Sequence, residues 1–99
     1  MVIILKNIIN KRKYCKELGD RLNTAGKLIY QRRNLLNYSR QELSNKLMLL
    51  GVDISIQSLY DIEIGKRTVL DYELCSIAKV LDISTDELLS SFKTYLDSI

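Results

Sequence analysis

An all-α fold is predicted by three observations. The 99-residue chain has no proline and only four glycines, so few positions interrupt a helix cheaply. Apolar residues recur at helical rather than strand spacing. Helix-start signals also recur. Ser39-Arg40-Gln41-Glu42 and Ser84-Thr85-Asp86-Glu87 each pair a hydroxyl with a glutamate three residues on, the pattern of a capping box. Together they predict a core of five short helices joined by tight turns, with an extra N-terminal helix and an extended C-terminal helix. The expected organisation is a basic helical extension over residues 1–24, one helical domain over 25–90 and a helical tail over 91–99. The length suits a single domain with a modest core.

In the first helix Ile4, Ile8, Cys15, Leu18 and Leu22 share a face, with Lys11, Arg12, Lys13 and Lys16 largely elsewhere. Asn23, Thr24 and Gly26 mark a fresh start. A second helix is expected from about Ala25 to Leu36, with Leu28, Ile29, Leu35 and Leu36 apolar. The third opens at the Ser39 capping box, with Tyr38 and Leu43 placed as a hydrophobic staple, and runs to about Leu50 before Gly51 stops it. Ser55 caps the fourth, with Ile54 and Leu59 as its staple, and this helix ends at Gly65. Asp71 is the expected cap of the fifth, whose apolar stripe is Leu74, Ile77, Ala78 and Leu81. After the Ser84 box, Leu88, Phe92, Tyr95, Leu96 and Ile99 form the stripe of an amphipathic tail.

Charge divides the chain. Residues 1–27 carry net +5, residues 28–52 net +3 and residues 53–99 net −5, giving +3 overall. This asymmetry identifies the face that would meet phosphate better than the total does. The residue types exclude other classes. With no histidine and two cysteines 60 positions apart, there is no zinc cluster, and both thiols are expected reduced and inert. There is no glycine-rich phosphate loop, and Asp86 with Glu87 is explained by the preference for acids at a helix N-terminus. An enzyme, a cofactor and a metal are therefore not expected. No segment approaches the ~20 apolar residues of a membrane span. Val2–Leu5 is a poor signal peptide, so a cytoplasmic location is expected.

From Gly26 to Leu89 the order of signals resembles the Cro and phage-repressor helix-turn-helix family, often called the XRE family. Arg33 stands six residues before Ser39, and Ser39-Arg40-Gln41-Glu42-Leu43-Ser44 is similar to the family's second-helix opening. Ser58-Leu59-Tyr60-Asp61-Ile62-Glu63-Ile64-Gly65-Lys66-Arg67 resembles its recognition-helix ending. The Leu74, Ile77, Ala78, Lys79, Leu81, Ile83, Ser84, Leu88, Leu89 pattern resembles its closing segment. Two departures stand out. Ser44 to Glu63 spans nineteen steps where typical members have fourteen, the additional residues falling around Leu47 to Ile54. Arginine also occupies position 40, where glutamine is usual.

The resemblance implies a recognition helix over Ser55–Ile64 that enters the DNA major groove by its N-terminal end. Ile56, Gln57, Ser58 and Asp61 become candidates for base contact. Gln57 is the best of these because its amide matches adenine N6 and N7, while Asp61 fits only as an acceptor from cytosine N4. Arg40, Lys46, Gly65, Lys66 and Arg67 become candidate phosphate contacts; singly, each is equally explained as a solvated surface group. Arg33 and Glu63 are implied to be a structural ion pair. Phe92, Tyr95, Leu96 and Ile99, or else the N-terminal helix, are candidates for a dimer contact. The N-terminal basic run reads as a phosphate arm, a docking helix or a solvated face. The expected function is sequence-specific double-stranded DNA binding by a homodimeric regulator, a repressor, on a palindromic operator. No ligand-binding domain is expected after the motif. The alternative is a protein-interaction module, such as an antitoxin or an antirepressor's partner, kept open by the acidic second half.

Overall fold

A computed structural model describes residues 18–99, and among these residues there are six helices and no strand. The helices are α1 (Gly26–Leu35), α2 (Arg40–Leu49), α3 (Ile56–Glu63), α4 (Asp71–Val80), α5 (Thr85–Leu88) and α6 (Ser90–Asp97). The fold is all-α, as the periodicity predicts. The N-terminal helix expected around Ile4, Ile8 and Cys15, with its basic run, lies outside the described residues. Leu18 and Leu22, assigned to the same face, sit in a turn and irregular segment that leads into α1.

The starts of α2, α3 and α5 follow the sequence signals. Ser39 Oγ accepts from the Glu42 N–H and Glu42 Oε1 accepts from the Ser39 N–H, both at 3.0 Å, so the capping box is complete. The backbone N–H of Ser39, and then its hydroxyl, holds the Glu42 carboxyl below its ordinary range. Ser55 Oγ accepts from Ser58 N at 3.1 Å, and Ser84 Oγ from Glu87 N at 3.0 Å. The start of α4 differs from expectation. Asp71 is the first helical residue, and Leu70 occupies the cap position with its N–H satisfied by Glu73 Oε1 at 3.0 Å. A carboxylate reaching back thus replaces the expected cap. The C-terminal ends of α1 and α4 close through Asn37 (φ 59) and Asp82 (φ 53), residue types that tolerate the left-handed region.

The tail is two helices rather than one. Leu88 is fully buried and fastens α5 to the core, and the chain then turns at Leu89. α6 brings Phe92 and Tyr95 to a cavity of about 200 Å³ shared with Leu18, Arg21, Asn23 and Thr24.

One core unites the helices. Ile29 of α1, Leu43 and Leu47 of α2, Leu59 and Ile62 of α3, Ile77 of α4 and Leu81 just after it are fully buried together, along with Ile54 and Leu88. Losing one such leucine or isoleucine costs about 2–5 kcal/mol. The long connection between α2 and α3 belongs to this core. Val52 and Ile54 are buried, Val52 N donates to Leu47 O at 3.0 Å, and Ser44 Oγ donates to Ile54 O at 2.7 Å. The added residues form an anchored turn, not a loose loop.

A buried carboxylate joins three helices. Arg33 of α1 forms a two-pronged pair with Glu63 of α3, Nε to Oε2 at 2.7 Å and Nη2 to Oε1 at 3.0 Å. Arg40 of α2 adds Nε to Oε1 at 3.0 Å, and the Glu63 side chain is 1% exposed. A second such pair closes the turn after α3. Arg67 grips Glu73 with two bonds of 2.9 Å each. The Arg67 hydrogen bonds hold the Glu73 carboxyl below its ordinary value of 4.5, and Glu73 in turn raises the Arg67 guanidinium.

Three expectations follow for stability. A methyl group at Gly26 would run into the Ile62 carbonyl oxygen, a backbone atom with no easy retreat. Gly26→Ala is expected to cost about 2 kcal/mol, the usual penalty for overpacking, read from a denaturant melt. Glu63→Ala leaves Arg33 buried without its counter-charge and is expected to cost ~3 kcal/mol in the same assay; an unchanged melting temperature would show that the pair contributes nothing. Because the folded Glu73 carboxyl is depressed, its contribution is complete above the ordinary value and is lost as pH falls through the folded one. As pH falls below 4.5 the native chain should therefore lose more stability than Glu73→Gln, measured by melts at successively lower pH.

Candidate nucleic-acid interface

α3 is amphipathic in a way that separates structural from available side chains. Leu59, Ile62 and Glu63 face inward and are buried. Ile56 is 43% exposed and Tyr60 41%, Gln57 is exposed, and Ser58 and Asp61 are half-buried. The four expected base-contact residues thus lie on or at the edge of the outward side. Gln57 and Asp61 are bonded to each other, the Gln57 amide nitrogen donating to Asp61 Oδ1 at 3.0 Å. The first turn of α3 ends in backbone N–H groups, only one of which Ser55 takes up.

The expected phosphate contacts divide into two groups. Arg40 lies at the first position of α2, beside its N-terminal N–H groups. Its Nε is tied to Glu63, and its guanidinium lies over the Tyr60 ring at 5.0 Å. Its two terminal nitrogens make no hydrogen bond to another described residue. The side chain is therefore aimed by one nitrogen and leaves the fork available. Lys46 is exposed, with its ammonium 5.1 Å from the Tyr38 ring centre. Lys66 is exposed, and its side chain forms no ion pair with any described residue. Gly65 and Arg67 belong to the second group. Gly65 is buried, its N–H donates to Ile62 O, and its carbonyl accepts from Leu22 N at 2.7 Å, so both backbone groups are satisfied inside the protein. Its φ of +83° and the Arg21 side chain pressed against it leave no room for a larger residue. Both terminal nitrogens of Arg67 are taken by Glu73, and one also bonds Thr68 O.

Sequence reasoning missed the residues that hold the far end of α3. That helix has no basic residue in its last turn. Its terminal carbonyls are capped instead from the segment before α1. Arg21 Nη2 donates to Glu63 O at 2.8 Å, and Asn23 Nδ2 donates to Ile62 O at 2.9 Å and Arg67 O at 2.8 Å. Asn23 Oδ1 also accepts from Gly26 N at 2.7 Å, capping α1 with the same side chain. The Asn23–Gly26 spacing marks a helix start, but nothing local shows the bonds to residues some forty positions away. These residues, placed by the sequence in the extension, are part of the frame around α3.

Of the expected dimer residues, Leu96 is half-exposed and Ile99 is 84% exposed, while Phe92 and Tyr95 are partly covered and lie 5.5 Å apart as a tilted ring pair. Among the described residues no group of histidine, cysteine or carboxylate side chains is arranged to hold a metal. No helix of the described residues is long and apolar enough to cross a membrane.

The arrangement is that of a short helix held on its inner face and far end, with its leading turn presented to solvent and Arg40 lying against its later residues Tyr60 and Glu63. A family model described as "Helix-turn-helix" matches residues 29–88, more than half of the chain and the span from Ile29 of α1 to Leu88 of α5. No curated protein and no solved structure gives a match. The chain belongs to the helix-turn-helix family of the XRE, or Cro and phage-repressor, type, whose domain binds DNA.

Proposed function

We propose that the chain is a sequence-specific reader of double-stranded DNA that acts as a transcriptional repressor. The observation that carries this reading is the outward face of α3, where Ile56 and Gln57 project from a helix whose other side is fastened by Glu63, Leu59 and Ile62. An exposed, rigidly mounted first turn is what major-groove reading requires. Ile56 is suited to a thymine methyl and Gln57 to adenine, with Ser58 and Asp61 alongside. Arg40, Lys46 and Lys66 supply the phosphate contacts, with Gly65 and Arg67 as their supports.

One domain of this size reads only a few base pairs. We infer a homodimer on a palindrome whose half-sites lie about 34 Å apart, with the exposed Leu96 and Ile99 side of α6, beside Phe92 and Tyr95, as its contact. An intracellular location goes with this function.

In vitro selection from a randomised duplex library with the full chain is expected to enrich a palindrome. Affinity for the enriched site should fall roughly 10³-fold between 50 and 200 mM salt if about six phosphates are neutralised. Lys66→Ala should weaken binding to all sequences alike and reduce the salt slope by about one. Failure to bind any duplex at any salt would point to the protein-interaction reading instead.

A further inference from the structure

The Asp61 carboxylate is an unexpected group on a surface meant for phosphate and base edges, and its bond to Gln57 suggests a use. Gln57 lies in the first turn of α3 and Asp61 one turn later, so their side chains meet on the same face. The contact is between the amide nitrogen and Oδ1 at 3.0 Å. A carboxylate carries no proton to donate, so the part of the amide turned toward it must be the NH2. That removes the two-fold ambiguity of a free glutamine. Oε1 faces away from Asp61, and the nitrogen keeps a single uncommitted N–H. Asp61 is itself steadied. It is half-buried, and its backbone carbonyl accepts from Lys66 N at 2.8 Å.

An amide so oriented offers one acceptor and one donor. Adenine presents a complementary donor and acceptor, N6–H and N7, in the major groove. Guanine presents two acceptors, O6 and N7. To satisfy both, a glutamine needs both of its N–H groups, and one of these is occupied by Asp61. We propose that Asp61 is a positioning residue that makes Gln57 select adenine over guanine, rather than a residue that reads a base itself. This rests on the reading of α3 as the base-reading helix.

The test is selection from a randomised duplex library with the full-length native chain and with Gln57→Ala, Asp61→Ala and Asp61→Asn, each checked by thermal melting. In the native chain one position of the enriched site is adenine, and Gln57→Ala removes that preference. Asp61→Ala reduces the adenine-to-guanine ratio at the same position about tenfold, the scale of one two-pronged base contact, and leaves the other positions intact. Asp61→Asn, which still accepts through Oδ1, recovers part of it. Loss of preference at a different position in Asp61→Ala would mean that Asp61 reads its own base, and a uniform gain in affinity with every preference retained would mean that it merely repels phosphate. Either result overturns the proposal. A native chain that enriches no sequence overturns the base-reading function and this role together; one that enriches a site in which Gln57→Ala removes no adenine overturns this role alone.

Discussion

The Glu63 carboxylate is the fixed point of the molecule. A buried charge this well covered is tolerated only when its lone pairs are met, and here two arginines from two other helices meet them. All three Arg33 nitrogens are engaged, the third donating to Tyr38 O at 2.8 Å in the turn between α1 and α2. The pair therefore ties the end of α1, the start of α2 and the end of α3 at one point. The accessibility of Ile56 and Gln57 follows from which residues of α3 are pinned inside.

The described cations divide by chemistry. Every arginine among the described residues makes an internal hydrogen bond. Arg21 caps α3, Arg32 donates to Leu81 O and Asp82 O at the end of α4, Arg33 and Arg40 meet Glu63, and Arg67 meets Glu73. The planar fork of the guanidinium suits carboxylates and paired carbonyls, and it retains its charge when buried. The lysines keep their ammonium groups at the surface. Lys46 and Lys66 are exposed, as the other described lysines are, and Arg40 is bonded inward through its Nε alone. Much of the positive charge among the described residues is therefore committed inside the fold.

The longer link between α2 and α3 shows how the scaffold absorbs an insertion. Exposed Leu49 and Leu50 end α2, and the chain then folds Val52 and Ile54 back into the core before Ser55 starts α3. Two buried side chains and two hydrogen bonds offset the entropic cost of ordering the added chain, so α3 keeps its seat against α1 and α2.

The interactions between near neighbours were legible in the residues themselves. The Ser39, Ser55 and Ser84 caps, the helical stripes and the stop after α2 depend on contacts within a few positions, and the amino-acid order states them directly. The Arg33–Glu63 pairing was legible only through the resemblance to a family, since no rule of spacing links positions thirty residues apart. The caps supplied by Arg21, Asn23 and Arg32, the replacement of Asp71 by Glu73 at the start of α4, the division of the tail at Leu89 and the inward commitment of Arg67 and Gly65 were decided by the tertiary structure alone. Each depends on which unpaired carbonyl or carboxylate a side chain meets after the helices have packed, and such partners are adjacent in space but distant along the chain.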